Sequence, residues 1–146
     1  MTRNRSATRR GWTSRQLALS PGVIRALEQA WPDSPHLELC GYLVEDARRN
    51  QYFVQVHNRS NVPNSFTIRT ADVERVAAAA ALRGHSVKAF IHSHLYSLDL
   101  SAGDQIDFSL SEIPWIIVSA HPKGLVHRAH FPPKQKRTTS ARHLPT

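Results

Sequence analysis

The spacing of apolar and polar residues predicts alternating helices and strands. Val23, Ile24 and Leu27 recur at helical spacing, and the preceding Ser20-Pro21 pair is typical of a helix start, so a first helix is expected to end at 31–32. Apolar runs of strand length follow this helix, and a polar turn joins the first two into a probable hairpin. The predicted strands are 39–44, 52–56, 66–69, 87–91, 115–118 and 125–131.

Two further helices are expected between these strands. Thr70 is the predicted cap of the second helix, and the acidic residues at 72 and 74 and a run of alanines favour a helix that extends to Gly84. Ser101 is the predicted start of a third helix that extends to about Ser111. Six or so strands broken up by three helices predict a layered α/β domain.

The length and charge distribution indicate one folded domain between two basic tails. The chain has 146 residues and a formal net charge of +8. Residues 1–15 hold five arginines and residues 132–146 hold four basic residues, all without an acid. The intervening part, 16–131, has 10 basic residues against 11 acidic ones and is close to neutral. We expect the tails to be disordered arms that bind anions nonspecifically, because they are too polar to form a core.

The remaining composition excludes several classes of protein. Cys40 is the single cysteine, so an intrachain disulfide and a multi-cysteine zinc site are both excluded, and its position in a predicted buried strand favours a packing role. No apolar run is long enough for a membrane span, so no membrane partner is expected, and a cytoplasmic location is predicted. Specific nucleic-acid binding has no motif to support it. A nucleobase deaminase would need more cysteines than the chain has.

The candidate chemistry lies in His92-Ser93-His94 and in Ser101-Ala102-Gly103-Asp104. Residues i and i+2 of a strand share a face, so the two imidazoles are expected side by side at a strand end. Asp104 then falls in the first turn of the next helix, from which it can reach back toward them. Two histidines and one carboxylate leave a tetrahedral zinc ion one open position, as catalytic sites require. The spacer between His94 and Ser101 has six residues and contains Asp99, an alternative ligand.

These residues resemble the His-x-His-x7-Ser-x2-Asp signature of the JAMM (MPN-plus) zinc metallopeptidases. The segment Glu38-Leu39-Cys40-Gly41-Tyr42-Leu43 is similar to the Glu-x-Cys-Gly-x-Leu segment of that family. The likeness runs in order from about 17 to 131. It is greatest to the short bacterial and phage members, such as the peptidase domain of lambdoid phage tail-tip assembly proteins.

The resemblance implies a fold and a function. The fold would be the JAMM/MPN, cytidine-deaminase-like fold, with a mixed central sheet of about six strands in a three-layer-like α/β domain. The family's pattern assigns one Zn²⁺ ion to His92, His94 and Asp104, the general base to Glu38 and stabilisation of the oxyanion to Ser101. The implied activity is hydrolysis of a peptide or isopeptide bond.

The identity of the substrate and partners stays open. A phage tail protein, a ubiquitin-like protein and a cell-wall peptide are all compatible with the resemblance, and a phage-encoded protein would be associated with the virion. The alternative is a catalytically inactive scaffold of the same fold, used for assembly.

Overall fold

A computed structural model describes residues 17–34 and 36–133. The elements in chain order are α1 (Pro21–Ala30), β1 (Cys40–Glu45), β2 (Gln51–Val56), α2 (Thr70–Arg83), β3 (Ser86–Ser93), α3 (Ala102–Ser109), β4 (Trp115–His121) and β5 (Gly124–His130). The predicted tails lie outside the described residues, apart from 132 and 133. No helix in the described ranges is long and apolar enough to cross a membrane.

The strands form one mixed sheet in the order β2-β1-β3-β4-β5. Only the β3–β4 pair is parallel, and the other three neighbouring pairs are antiparallel. The hairpin of β1 and β2 is confirmed, and so are the three helices and the α/β class. The register of β1 against β3 places Cys40 opposite His92, which brings the start of β1 to the same edge of the sheet as the end of β3.

The core has a separate cluster on each face of the sheet. Helix α1 covers one face, where Val23 and Leu27 pack against strand residues such as Leu43 and Ile91. On the other face Phe90, Phe108 and Trp115 form the centre of an aromatic cluster. Neighbouring residues of a strand point to opposite faces, so His92 lies on the aromatic side together with Phe90. This alternation determines which side of the sheet carries the polar site.

Two local predictions are wrong. The described residues form five strands, and the expected strand at 66–69 is irregular chain. Its backbone is held by side chains instead: the N–H of Thr67 donates to Oδ1 of Asn58, 3.0 Å away. Helix α2 begins at Thr70 as expected, but Arg69 is its N-cap and makes no capping hydrogen bond through its side chain.

Candidate metal centre

His92 and His94 lie at the carboxyl end of β3, where the sheet passes into the loop before α3. His92 is fully buried, and the side chain of His94 is 11% exposed. Their ring centroids are 4.9 Å apart. The end of β3 is adjacent to the end of its parallel neighbour β4, which is the kind of edge where α/β sheets bind ligands.

Asp104 is held next to both histidines by the start of α3. Ser101 and Asp104 form a capping box: the Asp104 N–H donates to Oγ of Ser101, and the Ser101 N–H donates to Oδ2 of Asp104, both over 3.0 Å. The same Oδ2 atom lies 2.9 Å from Nε2 of His94 and 3.8 Å from Nε2 of His92. The local capping motif thereby fixes a carboxylate oxygen between two imidazole nitrogens.

Glu38 approaches His92 from the other side. It immediately precedes the β1 region, and its Oε1 atom lies 3.2 Å from Nδ1 of His92. An ionised carboxylate only accepts hydrogen bonds, so this contact favours the tautomer in which Nδ1 carries the proton and Nε2 has the lone pair. Glu38, His92 and His94 offer ligand atoms that all lie within 4.8 Å of one another.

The charges of the site are strongly coupled. Burial alone raises the pKa of Asp104, but the hydrogen bond with His94, the electrostatic interaction with the His92 side chain and the backbone N–H of Ser101 outweigh it and lower the pKa to about 2. For His94, burial lowers the pKa, while the hydrogen bond and charge of Asp104 and the charge of Glu38 raise it to a net value above the usual range. His94 Nδ1 also faces the carbonyl oxygen of Ser97 at 3.1 Å. In the absence of metal, a proton on Nε2 of His94 therefore bridges to Asp104.

These donors fit a zinc ion. Nε2 of His92 is buried and has no hydrogen-bond partner among the described residues. Such an atom costs free energy unless something occupies its lone pair. Ligand atoms of a tetrahedral zinc with N and O donors are about 3.3 Å apart, given bond lengths of about 2.0–2.1 Å. The observed distances of 2.9 Å and 3.8 Å from Asp104 Oδ2 lie on either side of that value.

Asp99, the alternative ligand in the spacer, points elsewhere. Its side chain is 74% exposed, and its carboxylate accepts a hydrogen bond from Arg128 on β5. A second residue of β5, His130, donates from Nε2 to the carbonyl oxygen of Leu98 over 2.8 Å. The short spacer is therefore fastened to the edge strand, and Asp99 takes part in that attachment.

Several positioning residues were not recognised in the sequence. Asn58 donates from Nδ2 to the carbonyl oxygen of Glu38 (3.1 Å) and to that of Ser65 (3.0 Å). Oγ of Ser93, the residue between the two histidines, accepts from the N–H of Leu39 over 2.8 Å. Both contacts fix the backbone beside Glu38. Isolated polar residues in predicted loops or strands give no sequence signal for such long-range contacts.

Aromatic rings surround the buried imidazole. Phe66, Phe90 and Trp115 lie with ring centroids 4.8, 5.4 and 5.3 Å from that of His92. They exclude water from its inner side and restrict the rotation of the ring. Trp115 itself is buried in this cluster.

Cys40 is buried within the same region. Burial raises the pKa of its thiol, and the charges of Glu38 and Asp104 raise it further. The thiol therefore stays neutral near pH 7, and a neutral thiol is neither a strong nucleophile nor a good metal ligand. The expectation that Cys40 has a packing role agrees with its 1% exposure.

Comparison with known proteins gives a fold likeness and no family. No protein-family model matches this chain, and no curated protein matches it significantly. Among solved structures, it is similar to the solution structure of protein DSY2949 from Desulfitobacterium hafniense. The two share 20% sequence identity with a TM-score of 0.51, over 74% of this chain and 73% of the other. At this identity the likeness shows the fold alone.

Proposed function

We propose that the protein is a zinc-dependent peptidase or isopeptidase of the JAMM (MPN-plus) type. The observation that carries the proposal is the convergence of four side chains from three separate parts of the chain on one largely buried site. Glu38, His92, His94 and Asp104 meet there, and the Nε2 atom of His92 has no hydrogen-bond partner in the described part of the chain. The mixed five-stranded sheet with three helices is compatible with the JAMM/MPN fold.

His92, His94 and Asp104 would hold the zinc ion. Bound zinc supplies Lewis acidity, which lowers the pKa of a water molecule toward neutrality and polarises a carbonyl group. The second nitrogen of each histidine meets an oxygen acceptor, Oε1 of Glu38 for His92 and the Ser97 carbonyl for His94. Such contacts orient ligating histidines and increase their basicity.

Glu38 would be the general base. Its Oε1 atom accepts from His92, and its Oε2 atom would take the proton of the attacking water. The side chain is 8% exposed, so the carboxylate works in a largely dehydrated setting where proton transfer is directed to the neighbouring reactants. The proton taken from water would then pass to the leaving amine nitrogen.

Ser101 would stabilise the oxyanion. Its Oγ atom accepts the N–H of Asp104, which leaves the hydroxyl proton free to donate. A donor that is fixed in this way before reaction contributes most when charge develops on the carbonyl oxygen. The capping box thus supports two functions, since it holds the Asp104 carboxylate and orients the Ser101 hydroxyl.

The direct test is cleavage of peptide and isopeptide libraries by the full-length protein after zinc loading. We expect cleavage that a chelator abolishes, that zinc restores and that Ser101→Ala reduces about 100-fold or more. If the zinc-loaded protein, with stoichiometric metal, cleaves no amide in either library, the inactive assembly scaffold becomes the better description.

A further inference from the structure

A cavity of about 480 Å³ opens on the aromatic face of the sheet, next to the candidate metal centre. Its lining includes Tyr42, Phe66, Phe90, Ile113, Trp115 and Asp107. The cavity is much larger than the roughly 150 Å³ that holds a benzene molecule in a protein interior. It therefore has room for a long side chain.

The cavity and the metal centre share walls. Phe66, Phe90 and Trp115 line the cavity and also contact the ring of His92. Helix α3 connects the two sites as well, since Asp107 follows Asp104 by three residues. That separation keeps both on one side of the helix, about 4.5 Å apart along its axis. A group bound in the cavity would lie close to the reacting bond.

The chemistry of the lining selects a cationic side chain. Asp107 is the one charged residue among the residues that line the cavity, and the other described residues around it are aromatic, aliphatic or hydroxyl-bearing. Its side chain is exposed and has no ion pair in the described part of the chain, whereas Asp72, Asp99 and Asp104 each have a basic partner there. Aromatic walls suit methylene groups, and aromatic rings also attract cations.

We propose that this cavity binds a lysine or arginine side chain of the polypeptide substrate, close to the bond that is cleaved. The identification as a substrate subsite rests on the proposed function. A purely apolar occupant would form no ion pair with the Asp107 carboxylate. A lysine or arginine places its methylene groups against the rings and its charge against Asp107.

Binding can be measured without relying on catalysis. The full-length protein is titrated with the N-acetyl N′-methylamides of lysine, arginine, norleucine and phenylalanine, and NMR follows the backbone amides near the cavity and the indole of Trp115. We expect the lysine or arginine probe to bind at least about fivefold more tightly than norleucine. Asp107→Asn should remove that preference. Glu28→Gln should keep it, because Glu28 is an exposed acid on α1, across the sheet.

Other outcomes overturn the assignment. Equal binding of norleucine or phenylalanine would show that the cavity is an apolar site, and the absence of binding by both cationic probes would exclude a basic-residue subsite. The result is separable from the proposed function. Selective binding without hydrolysis of any peptide would leave the cation site and reject the peptidase. Hydrolysis with no preference for lysine or arginine, together with no probe binding, would support the peptidase and reject the cation site.

Discussion

Glu38 and His92 are 54 positions apart in the chain, yet Oε1 of Glu38 lies 3.2 Å from Nδ1 of His92. In the proposed mechanism this contact gives Glu38 two separable tasks, because one carboxylate oxygen would orient a ligating imidazole while the other would activate water. The two tasks make different demands on the side chain. Orientation needs an oxygen acceptor, and general-base catalysis needs a group that takes up a proton.

Glu38→Gln and Glu38→Ala should therefore have different effects. The amide oxygen of glutamine can still accept from His92, so Glu38→Gln should keep zinc and lose hydrolysis by at least about 100-fold. Glu38→Ala removes the acceptor as well and should weaken zinc binding by about 10–100-fold. Zinc titration with a competing chelator, alongside an assay of hydrolysis, distinguishes the two variants. Full activity in Glu38→Gln would rule out its role as base.

Zinc binding should weaken at acidic pH because a proton competes for Nε2 of His94. The pKa of His94 is raised above its usual 6.5, so the metal-free protein holds this proton near neutral pH, and the metal must displace it. Asp104, with a pKa of about 2, stays ionised throughout this range. We expect the apparent zinc affinity at pH 5.5 to be at least about tenfold lower than at pH 7.5. An affinity that is flat across this interval would contradict the proposed role of His94.

The same proton affects the stability of the metal-free protein. Because the pKa of His94 is raised in the folded state, the protonated side chain contributes fully to the stability of the fold below its pKa in the unfolded chain, 6.5. This contribution is lost as the pH rises through the pKa of His94 in the folded protein. Zinc should consequently raise the melting temperature more at pH 8 than at pH 5.5. Melting curves with chelator and with zinc at both values of pH check this. A larger increase in melting temperature on adding zinc at the lower pH would contradict the stabilising role given to protonated His94.

Asn58 should be important for stability although it is far from the metal ligands in the sequence. Its side chain bonds four backbone groups, those of Glu38, Ser60, Ser65 and Thr67. Asn58→Ala should lower the free energy of unfolding by about 2 kcal/mol, because partly buried backbone groups lose their partners. The control is Asn61→Ala, since Asn61 is exposed and its side chain makes no hydrogen bond in the described part of the chain. Urea denaturation of both variants tests this, and equal stabilities would refute it.

Gly41 has no room for a side chain. A Cβ atom there would collide with the carbonyl oxygen of Val54 and with the ring of Phe53, which lies 2.5 Å away. Gly41→Ala should cost about 1–3 kcal/mol of stability through overpacking. At Gly22, in the first turn of α1, the nearest atoms would be 3.9 Å away, so Gly22→Ala should be neutral or slightly stabilising. Thermal denaturation compares the two, and a neutral Gly41→Ala would show that the strands can separate to admit the methyl group.

Local patterns predicted most of the fold and three of the four side chains that converge at the site. The two-residue period of a strand placed His92 and His94 on one side, and the capping box placed Asp104 at a helix start, because both relations depend on neighbouring residues. The position of Glu38 depends on the register of β1 against β3, which brings Cys40 opposite His92. Its own segment gave no geometric signal, and only the family resemblance singled it out.

The failure at 66–69 has a related cause. Phe66 and Ile68 alternate with polar residues as in a strand, but both pack into the aromatic cluster from irregular chain. The Asn58 side chain bonds the Thr67 N–H in place of a ladder partner. A side-chain contact over nine residues is specific to the folded arrangement, so residue propensities cannot anticipate it.

Metal content tests the central claim most directly. Elemental mass spectrometry is applied to the protein purified without an affinity tag, with His92→Ala prepared in parallel and circular dichroism to confirm that both are folded. The account predicts about one zinc per chain in the wild type and almost none in folded His92→Ala. A wild-type protein that binds no zinc even after reconstitution, or a folded variant that keeps it, would contradict a metal centre at these residues.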